Sequence, residues 1–251
     1  MRTIVIVFLA ISLNVSVAYS QAQKQAVKTD PAKTQTTQKQ TQPAKQAVNP
    51  LTEHFYKKYV TAIQWNDYEV AKDALYDLIM ENPQNDSLIF SLAYYYYENQ
   101  KYPSAVLVSQ QLLARNPKNT AALEMSAVGY EVMGVPDRSL QSYESLYLLT
   151  NNISTLYKMS FLQFDMKRYA ECLASIDALL ANKEIDTLKV VFNDVENKPK
   201  EYIMKVAILN LKGLAVQEHL GDKDAARKLF EEALAIAPDF VLAKQNLAKV
   251  K

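Results

Sequence analysis

The sequence is poor in the residues that most metal sites and many enzyme sites require. Its 251 residues include four Gly, one Cys and two His, too few for a glycine-rich phosphate loop, a zinc cluster or a disulfide framework. Neither His54 nor His219 has a ligand-like neighbour at i+4. No nucleophile sits in a strand-turn-helix elbow, although a catalytic triad that assembles only in space leaves no such trace. We predict no catalytic residues, no metal, no cofactor and no enzymatic activity.

The composition is that of a folded, tyrosine-rich chain with an uneven charge distribution. Hydrophobic residues make up 49%, and the aromatic content is carried mainly by 16 Tyr. The net charge of +1 combines Arg2, five Lys and one Asp over residues 21–50, and 22 basic and 26 acidic side chains over residues 51–251. Because the larger part is acidic, binding of nucleic acid is disfavoured.

The first twenty residues have the layout of a secretory signal peptide. Arg2 is followed by an apolar run over 4–13, and small residues at Ala18 and Ser20 precede Gln21. This pattern predicts cleavage before Gln21. The run is about half the roughly 20 residues needed to span a bilayer, and no Cys follows it to carry a lipid. We expect a periplasmic or secreted protein with no stable membrane insertion after cleavage.

Residues 21–50 are predicted to be a disordered linker. They contain eight Gln, five Lys and three Pro, no aromatic residue, and Val27 and Val48 as the only large aliphatic side chains. Such a segment buries too little apolar surface to offset the entropy of ordering it.

From residue 51 onward a helical pattern recurs with a period of about 34 residues. Asn82-Pro83 and Asn116-Pro117 lie one such period apart. One pattern recurs five times. A small residue is followed four positions later by a second residue and then, in most units, by a residue that breaks the helix. The starting pairs are Ala71 and Leu75, Ala105 and Ser109, Ser139 and Tyr143, Cys172 and Ile176, and Ala226 and Phe230.

An earlier helix in each unit is predicted to approach the small residue closely. Ala93 precedes Tyr96 by three positions, and Ala127 precedes Tyr130 by the same spacing. Helices come close only where one side presents a small side chain. We therefore expect Ala93 to face the Ala105 helix and Ala127 to face Ser139, with Tyr96 in the core and Cys172 in a packing position.

This order of residues resembles the tetratricopeptide repeat. The resemblance covers residues 51–184 and 203–251 and is most specific in the second and last units. It implies an all-α solenoid of about five helical hairpins over residues 51–251. The step from Gly213 to Ala226 is one position longer than the step from Ala93 to Ala105.

An insertion interrupts the last period, since the step from Cys172 to Ala226 exceeds one repeat by about 20 residues. Residues 185–202 contain two short apolar runs around a polar turn with Asn197 and Pro199. This predicts a β-hairpin, either a specificity element on a binding face or a cover for an exposed edge of the stack. A final helix from about Phe240 to Val250 is predicted to cap the solenoid.

In stacked hairpins the first helix of each pair lines the concave side, which places a row of aromatic residues in one groove. Lys and Asn are absent from the predicted positions, so the carboxylate clamp known in the resembled family is not expected. The groove instead suits an extended peptide with apolar side chains and a basic residue. A one-residue shift of register would move Tyr94 and Tyr97 partly into the core. The predicted groove residues are Tyr56, Phe90, Tyr94, Tyr97, Glu124, Val128, Glu131, Tyr157, Phe161 and Phe164.

Two functions follow as hypotheses. The first is a non-enzymatic scaffold of the bacterial cell envelope that binds a protein or extended peptide in the groove. The second is a structural subunit of an envelope assembly that uses its convex face and β-hairpin. The signal end, the Gln-rich segment and the repeat layout also resemble exported tetratricopeptide proteins of Bacteroidota-type bacteria. That resemblance implies O-glycan attachment at Ser87 or Thr187.

Overall fold

The computed structural model describes residues 49–250. The predicted signal peptide lies outside the described residues, as does the linker up to residue 48. Within the described range eleven α-helices form five antiparallel pairs and a final single helix, as predicted. The helices are α1 Pro50–Gln64, α2 Tyr68–Glu81, α3 Asp86–Glu98, α4 Tyr102–Arg115, α5 Thr120–Val132, α6 Pro136–Thr150, α7 Ile153–Asp165, α8 Tyr169–Leu180, α9 Met204–Leu220, α10 Lys223–Ile236 and α11 Val241–Lys249.

None of the helices in residues 49–250 is long and apolar enough to cross a membrane.

The turns inside the first four pairs share one geometry. In each turn one residue has a left-handed backbone, and the N–H of the next residue donates to the carbonyl five positions back at 2.8–2.9 Å. This bond and the left-handed residue define a Schellman helix end. The left-handed residues are Asn66, Gln100, Gly134 and Lys167.

The turn of the last pair is different. Gly221, at φ 69°, follows α9 directly, and its N–H donates to the Gln217 carbonyl at 3.1 Å. This is the single-bond form of helix end. This helix end accompanies the longer step from Gly213 to Ala226, which distinguishes the last pair from the others.

Turns between pairs begin with the predicted proline motif. The Asn85 N–H donates to the Asn82 carbonyl at 3.0 Å, and the Asn119 N–H donates to the Asn116 carbonyl at 3.0 Å. Asn85 and Asn119 then cap α3 and α5 with their side chains. The third such turn lacks proline and uses a left-handed Asn151 instead.

Small residues lie at the contact between the paired helices, as predicted. Ser139 Oγ donates to the Ala127 carbonyl at 2.8 Å, which places those two residues against each other. Their burial allows the helix backbones to approach closely. The small residues of the second helices, all at most 2% exposed, are Ala71, Ala105, Ser139, Cys172 and Ala226.

The run Tyr94 to Tyr97 does not pack as expected. Tyr95 is the buried member at 9% exposure, whereas Tyr96 is partly exposed, so the prediction that Tyr96 lies in the core is wrong. The Tyr96 hydroxyl lies 2.6 Å from the Tyr76 hydroxyl, and the Tyr95 hydroxyl donates to Glu69. A phenol at the rim of the core reaches polar partners that the interior lacks.

The predicted β-hairpin is present and is packed on one face. Strands β1 (Lys189–Asn193) and β2 (Pro199–Ile203) are antiparallel. The Phe192 and Tyr202 rings lie 5.2 and 4.9 Å from the Phe240 ring, centroid to centroid. The hairpin therefore covers the turn that leads into α11.

Helix α11 caps the last pair, as predicted. Arg227 Nη2 donates to the Val250 carbonyl at 2.6 Å, and buried Asn246 Nδ2 donates to Asn210 Oδ1 at 2.9 Å. Lys244 and Lys249 are exposed. The last pair is thus enclosed on both sides, and α9 is buried along most of its length.

Gly213→Ala is expected to destabilise the fold even though Ala favours helices more than Gly does. A Cβ at residue 213 would lie 2.4 Å from Cε1 of Phe230, which is fully buried. The Phe230 ring would have to move, at a cost of about 1–3 kcal/mol. Urea denaturation measures the loss, and Gly213→Ala with Phe230→Leu should recover part of it. Unchanged or higher stability in the single variant would contradict this packing.

Candidate functional site

The ten predicted groove residues occupy matching positions on successive first helices. In α3, α5 and α7 they stand at positions i, i+4 and i+7, which places them on one stripe of each helix. Tyr56 holds the first of these positions in α1, and Val60 and Ile63 complete its stripe. We call the full set of stripes on α1, α3, α5 and α7 the groove.

Aromatic contacts run along the α3 part of the groove. The Phe90 and Tyr94 rings are stacked at 6.1 Å, and the Tyr97 ring meets the Tyr102 ring edge-on at 6.0 Å. Phe90, Tyr94 and Tyr97 are all partly exposed. This part of the stripe exposes aromatic surface to solvent and is not fully buried in the core.

Exposure falls from the first pair toward the fourth. Tyr56 is 57% exposed, whereas Tyr157 and Phe161 are 6% exposed each and lie 4.8 Å apart, ring to ring. Burial raises the pKa of Tyr157. These two α7 side chains are buried. The accessible aromatic surface lies on α1 and α3 and at the partly exposed Phe164, whose ring lies 5.5 Å from the Tyr169 ring.

Glu131 is tied to the packing of the third pair. The buried Tyr143 hydroxyl donates to Glu131 Oε2 at 2.8 Å. Burial, followed by the charge of Glu131, raises the pKa of Tyr143, so the phenol stays a donor. This bond orients one oxygen of the carboxylate.

Sequence reasoning missed Asp165, the last residue of α7 and the neighbour of the predicted Phe164. Asp165 is exposed as a residue, but partial desolvation of its carboxyl group and repulsion from Glu131 raise its pKa. Its position at the negative end of the helix dipole adds a further unfavourable contribution. The register did not select it, because the stripe position equivalent to Glu131 is Phe164, one residue before Asp165.

The carboxylates of the groove lack ionic partners. Among residues 49–250 no ion pair within 4 Å includes Glu124, Glu131 or Asp165. Lys158, also on α7, places its Nζ 5.5 Å from the centroid of the Tyr143 ring. The groove thus combines aromatic faces with negative charge that the described part of the chain does not pair.

Glu124 extends this acidic surface toward α3. Burial and then the charge of Glu124 raise the pKa of Tyr97. The Tyr97 phenol therefore stays protonated. It offers both a hydrogen-bond donor and an aromatic face beside a carboxylate.

Other singled-out residues lie away from this surface or serve packing. The His219 ring lies 6.3 Å from the Tyr169 ring, and the described residues hold no group of three or more potential metal ligands. Cys172 is fully buried, and burial together with the charge of Asp165 raises its pKa to about 12. Ser87 and Thr187 are exposed, so their predicted modification stays a prediction.

A second surface groove, of about 240 Å³, lies between α4 and α6. At the equivalent place one repeat earlier, Tyr76 fills the space beside Tyr96, whereas here the shorter Gln110 leaves it open beside Tyr130. Its lining includes Arg138 and the polar side chains of Gln141 and Ser142. It lacks the carboxylates that distinguish the groove on the first helices.

This architecture is that of a tetratricopeptide-type solenoid. No family model matches the chain, and no curated protein matches it in sequence. Similar solved structures include MamA, 14% identical over 79% of this chain and 94% of that one, with a TM-score of 0.56. A tetratricopeptide repeat protein from Parabacteroides merdae ATCC 43184 is 17% identical over 80% and 73%, TM-score 0.56. YrrB is 13% identical over 78% and 90%, TM-score 0.59. At these identities the likeness establishes the fold.

Asp165→Asn is expected to stabilise the protein at pH 7. Because the folded-state pKa of Asp165 is raised, the unfolded chain binds fewer protons than the folded chain between the two pKa values. Stability therefore falls as pH rises through that window. Urea denaturation should show a higher free energy of unfolding for the variant at pH 7 and no difference near about pH 3, where both states are protonated.

Asp177→Asn is the matched control, because Asp177 pairs with Lys212 Nζ at 2.7 Å. It should not stabilise the protein at pH 7. A loss of stability in Asp165→Asn at that pH would show that the carboxylate has a stabilising partner.

Proposed function

We propose that this protein is a non-enzymatic scaffold that holds an extended segment of a partner protein in the groove of its first helices. The observation that carries the proposal is the unpaired acidic cluster. Asp165 ends α7, and desolvation together with repulsion from Glu131 raises its pKa, so the ionised carboxylate is disfavoured there. A partner that supplies a cation there would relieve this repulsion on binding.

The dimensions of the groove fit an extended peptide. Neighbouring helices pack about 8–10 Å apart, and an extended chain presents side chains to the same face about every 7 Å. A segment of roughly 6–9 residues thus crosses α3, α5 and α7. Apolar side chains would contact Phe90, Tyr94 and Tyr97, and a Lys or Arg would lie near Glu131 and Asp165.

The chemistry of the surface supports binding rather than catalysis. Aromatic anchors typically contribute about 2 kcal/mol or more each at an interface hot spot, and charged groups add specificity and orientation. YrrB, which is similar in fold, is described as having an unusual peptide-binding site. We extend peptide binding, though not the details of that site, to this chain.

The proposed place of action is the bacterial cell envelope, in the periplasm or outside the cell. The basis is the signal-like segment over residues 1–20, with its basic start, short apolar run and small residues before Gln21.

Peptide selection tests the groove directly. Short peptides selected from a displayed library on the immobilised protein should be enriched in a basic residue beside apolar ones. Titration calorimetry should then give a Kd at least about tenfold weaker for Tyr94→Ala and for Glu131→Gln, since an aromatic anchor or a charge partner is lost. The control Glu231→Gln, at an exposed position of α10, should leave the Kd unchanged. If all three variants bind the selected peptides equally well, the groove is not the peptide-binding site. Phe161 is unsuitable for this test because it is buried.

A second candidate function is a structural subunit that assembles through the hairpin. Val191 is 40% exposed on the outer face of β1 and Val195 is 78% exposed at the hairpin tip. Single apolar side chains of this kind are common on surfaces, so this candidate ranks below the first.

Val191→Asp distinguishes the two functions. It leaves Phe240 covered, whereas deletion of residues 185–202 would expose Phe240. If the hairpin mediates assembly, the variant should lose the assembled species in sedimentation velocity and keep its binding of groove peptides. If the groove is the functional surface, sedimentation and peptide affinity should both match the parent protein.

A further inference from the structure

The second surface groove, which we call the α4–α6 groove, lies on a different face of the molecule from the groove of the first helices. Helix α5 contributes Leu123 and Tyr130 to its lining, and these residues directly precede Glu124 and Glu131 of the first groove. Consecutive residues on an α-helix point about 100° apart. The two grooves therefore use different faces of α5, and no residue belongs to both.

The α4–α6 groove is open because Gln110 is short and is held against α5. Gln110 Nε2 donates to Ser126 Oγ at 3.3 Å, so the side chain turns toward that helix. One repeat earlier the same position is Tyr76, whose hydroxyl lies 2.6 Å from the Tyr96 hydroxyl. The space that a phenol fills in the first repeat is therefore free in the second.

The lining of the α4–α6 groove also differs in charge from the equivalent surface one repeat earlier. Arg138 and Gln141 stand where the preceding repeat has Ser104 and Leu107, 34 positions before them. The lining therefore contains a guanidinium and no carboxylate. The repeat that opens the space is thus also the repeat that adds a cation to it.

The charge of Arg138 is not balanced within the described part of the chain. Among residues 49–250 no ion pair within 4 Å includes this exposed side chain. Glu144 of the same helix is directed to Arg168 instead, with 3.8 Å between Oε1 and Nη2. The guanidinium of Arg138 is therefore available to an anionic group of another molecule.

Hydrogen bonding at this end of the α4–α6 groove favours a ligand that accepts. Ser142 Oγ donates to the Arg138 carbonyl at 2.9 Å, so this hydroxyl can only accept a further bond. Ser145 Oγ donates in the same way to the Gln141 carbonyl at 2.9 Å. The guanidinium of Arg138, the amide of Gln141 and the hydroxyl of Tyr130 supply donors. A carboxylate is the acceptor that a guanidinium binds best, through two parallel hydrogen bonds.

The two ends of the α4–α6 groove differ in chemistry. Tyr130 and Arg138 form a polar end near the turn between α5 and α6. Leu113, Pro117 and Leu123 form an apolar end near the turn between α4 and α5. Leu123 and Tyr130 are seven residues apart on α5, a distance of about 10 Å. An extended chain places alternate side chains on one face about 7 Å apart, so one segment can present an acidic and an apolar side chain to the two ends.

We propose that the α4–α6 groove is a second docking site, which binds an extended segment of a partner protein. An Asp or Glu side chain of that segment pairs with Arg138, and an apolar side chain packs against Leu113 and Pro117. The inference goes beyond the proposed function, which concerns the groove of the first helices, and does not depend on it. With both sites the chain holds two segments of opposite charge on two of its faces.

Subtractive peptide selection provides a probe for this site. A displayed library of short random peptides is depleted on Gln110→Tyr, in which the new phenol fills the α4–α6 groove as Tyr76 fills the equivalent space. The remaining peptides are selected on the parent protein. We expect enrichment of Asp or Glu two positions from an apolar residue. If circular dichroism shows that Gln110→Tyr does not fold, Arg138→Gln replaces it in the depletion, because Arg138 is exposed.

Fluorescence polarisation of the selected peptides then tests the contact. Arg138→Gln should give a Kd at least about tenfold weaker, since the partner of a carboxylate is lost. The matched control Lys228→Gln removes an exposed cation of α10 and should leave the Kd unchanged. Replacing the acidic residue of the peptide by its amide should weaken binding to the parent protein and have little further effect in Arg138→Gln. Such non-additivity shows that the two groups interact.

Three outcomes would overturn the proposal. The first is that no peptide binds the parent protein better than it binds the depleting variant, or that the selected peptides lack an acidic residue. The second is equal affinity for the parent protein and Arg138→Gln. The third is a selected peptide that binds only with a free C-terminal carboxylate, because the ligand would then be a chain end and not a side chain.

Tyr94→Ala separates failure of this proposal from failure of the proposed function. The acidic peptides should bind this variant as tightly as the parent protein, and weaker binding would place them in the groove of the first helices and overturn the second site. If the acidic peptides require Arg138 while no basic peptide binds the first groove, the second site stands and the proposed function is wrong. If basic peptides require Tyr94 and acidic ones do not require Arg138, the reverse holds.

Discussion

The close approach of paired helices at small side chains is the constraint on which the rest of this structure depends. Ala105, Ser139 and Ala226 are completely buried at these contacts, and a larger side chain there would separate the backbones. The spacing within each pair fixes how far the next pair is displaced. It thereby fixes which residues of the first helices form one continuous surface. The groove is a consequence of this packing, and its buried members Tyr157 and Phe161 also contribute to it.

Most of the fold was predictable from the sequence because its determinants are local and repeated. The small residues recur at a nearly constant period through Cys172, and Asn-Pro turns end two of the pairs, so each feature reinforces the next. The hairpin was detectable from the extra length of chain between Cys172 and Ala226.

The site was less predictable than the fold. The burial of Tyr157 and Phe161, and the choice of Tyr95 rather than Tyr96 for the core, depend on neighbouring pairs. Helical periodicity does not encode those contacts. Asp165 lay one position beyond the stripe that the register selected. In the acidic part of this surface Glu131 is oriented by the Tyr143 hydroxyl, and the charge of Glu131 contributes to the raised pKa of Asp165.

The single thiol of this protein has low chemical reactivity. Cys172 is completely buried, and burial raises the pKa of its thiol to about 12, so at pH 8 very little of it is the thiolate that reacts with alkylating reagents. The parent chain therefore offers an almost unreactive background for thiol chemistry. A cysteine introduced at any exposed position can receive a fluorophore or a nitroxide selectively, and distances to the helical pairs can be measured without first removing the native residue.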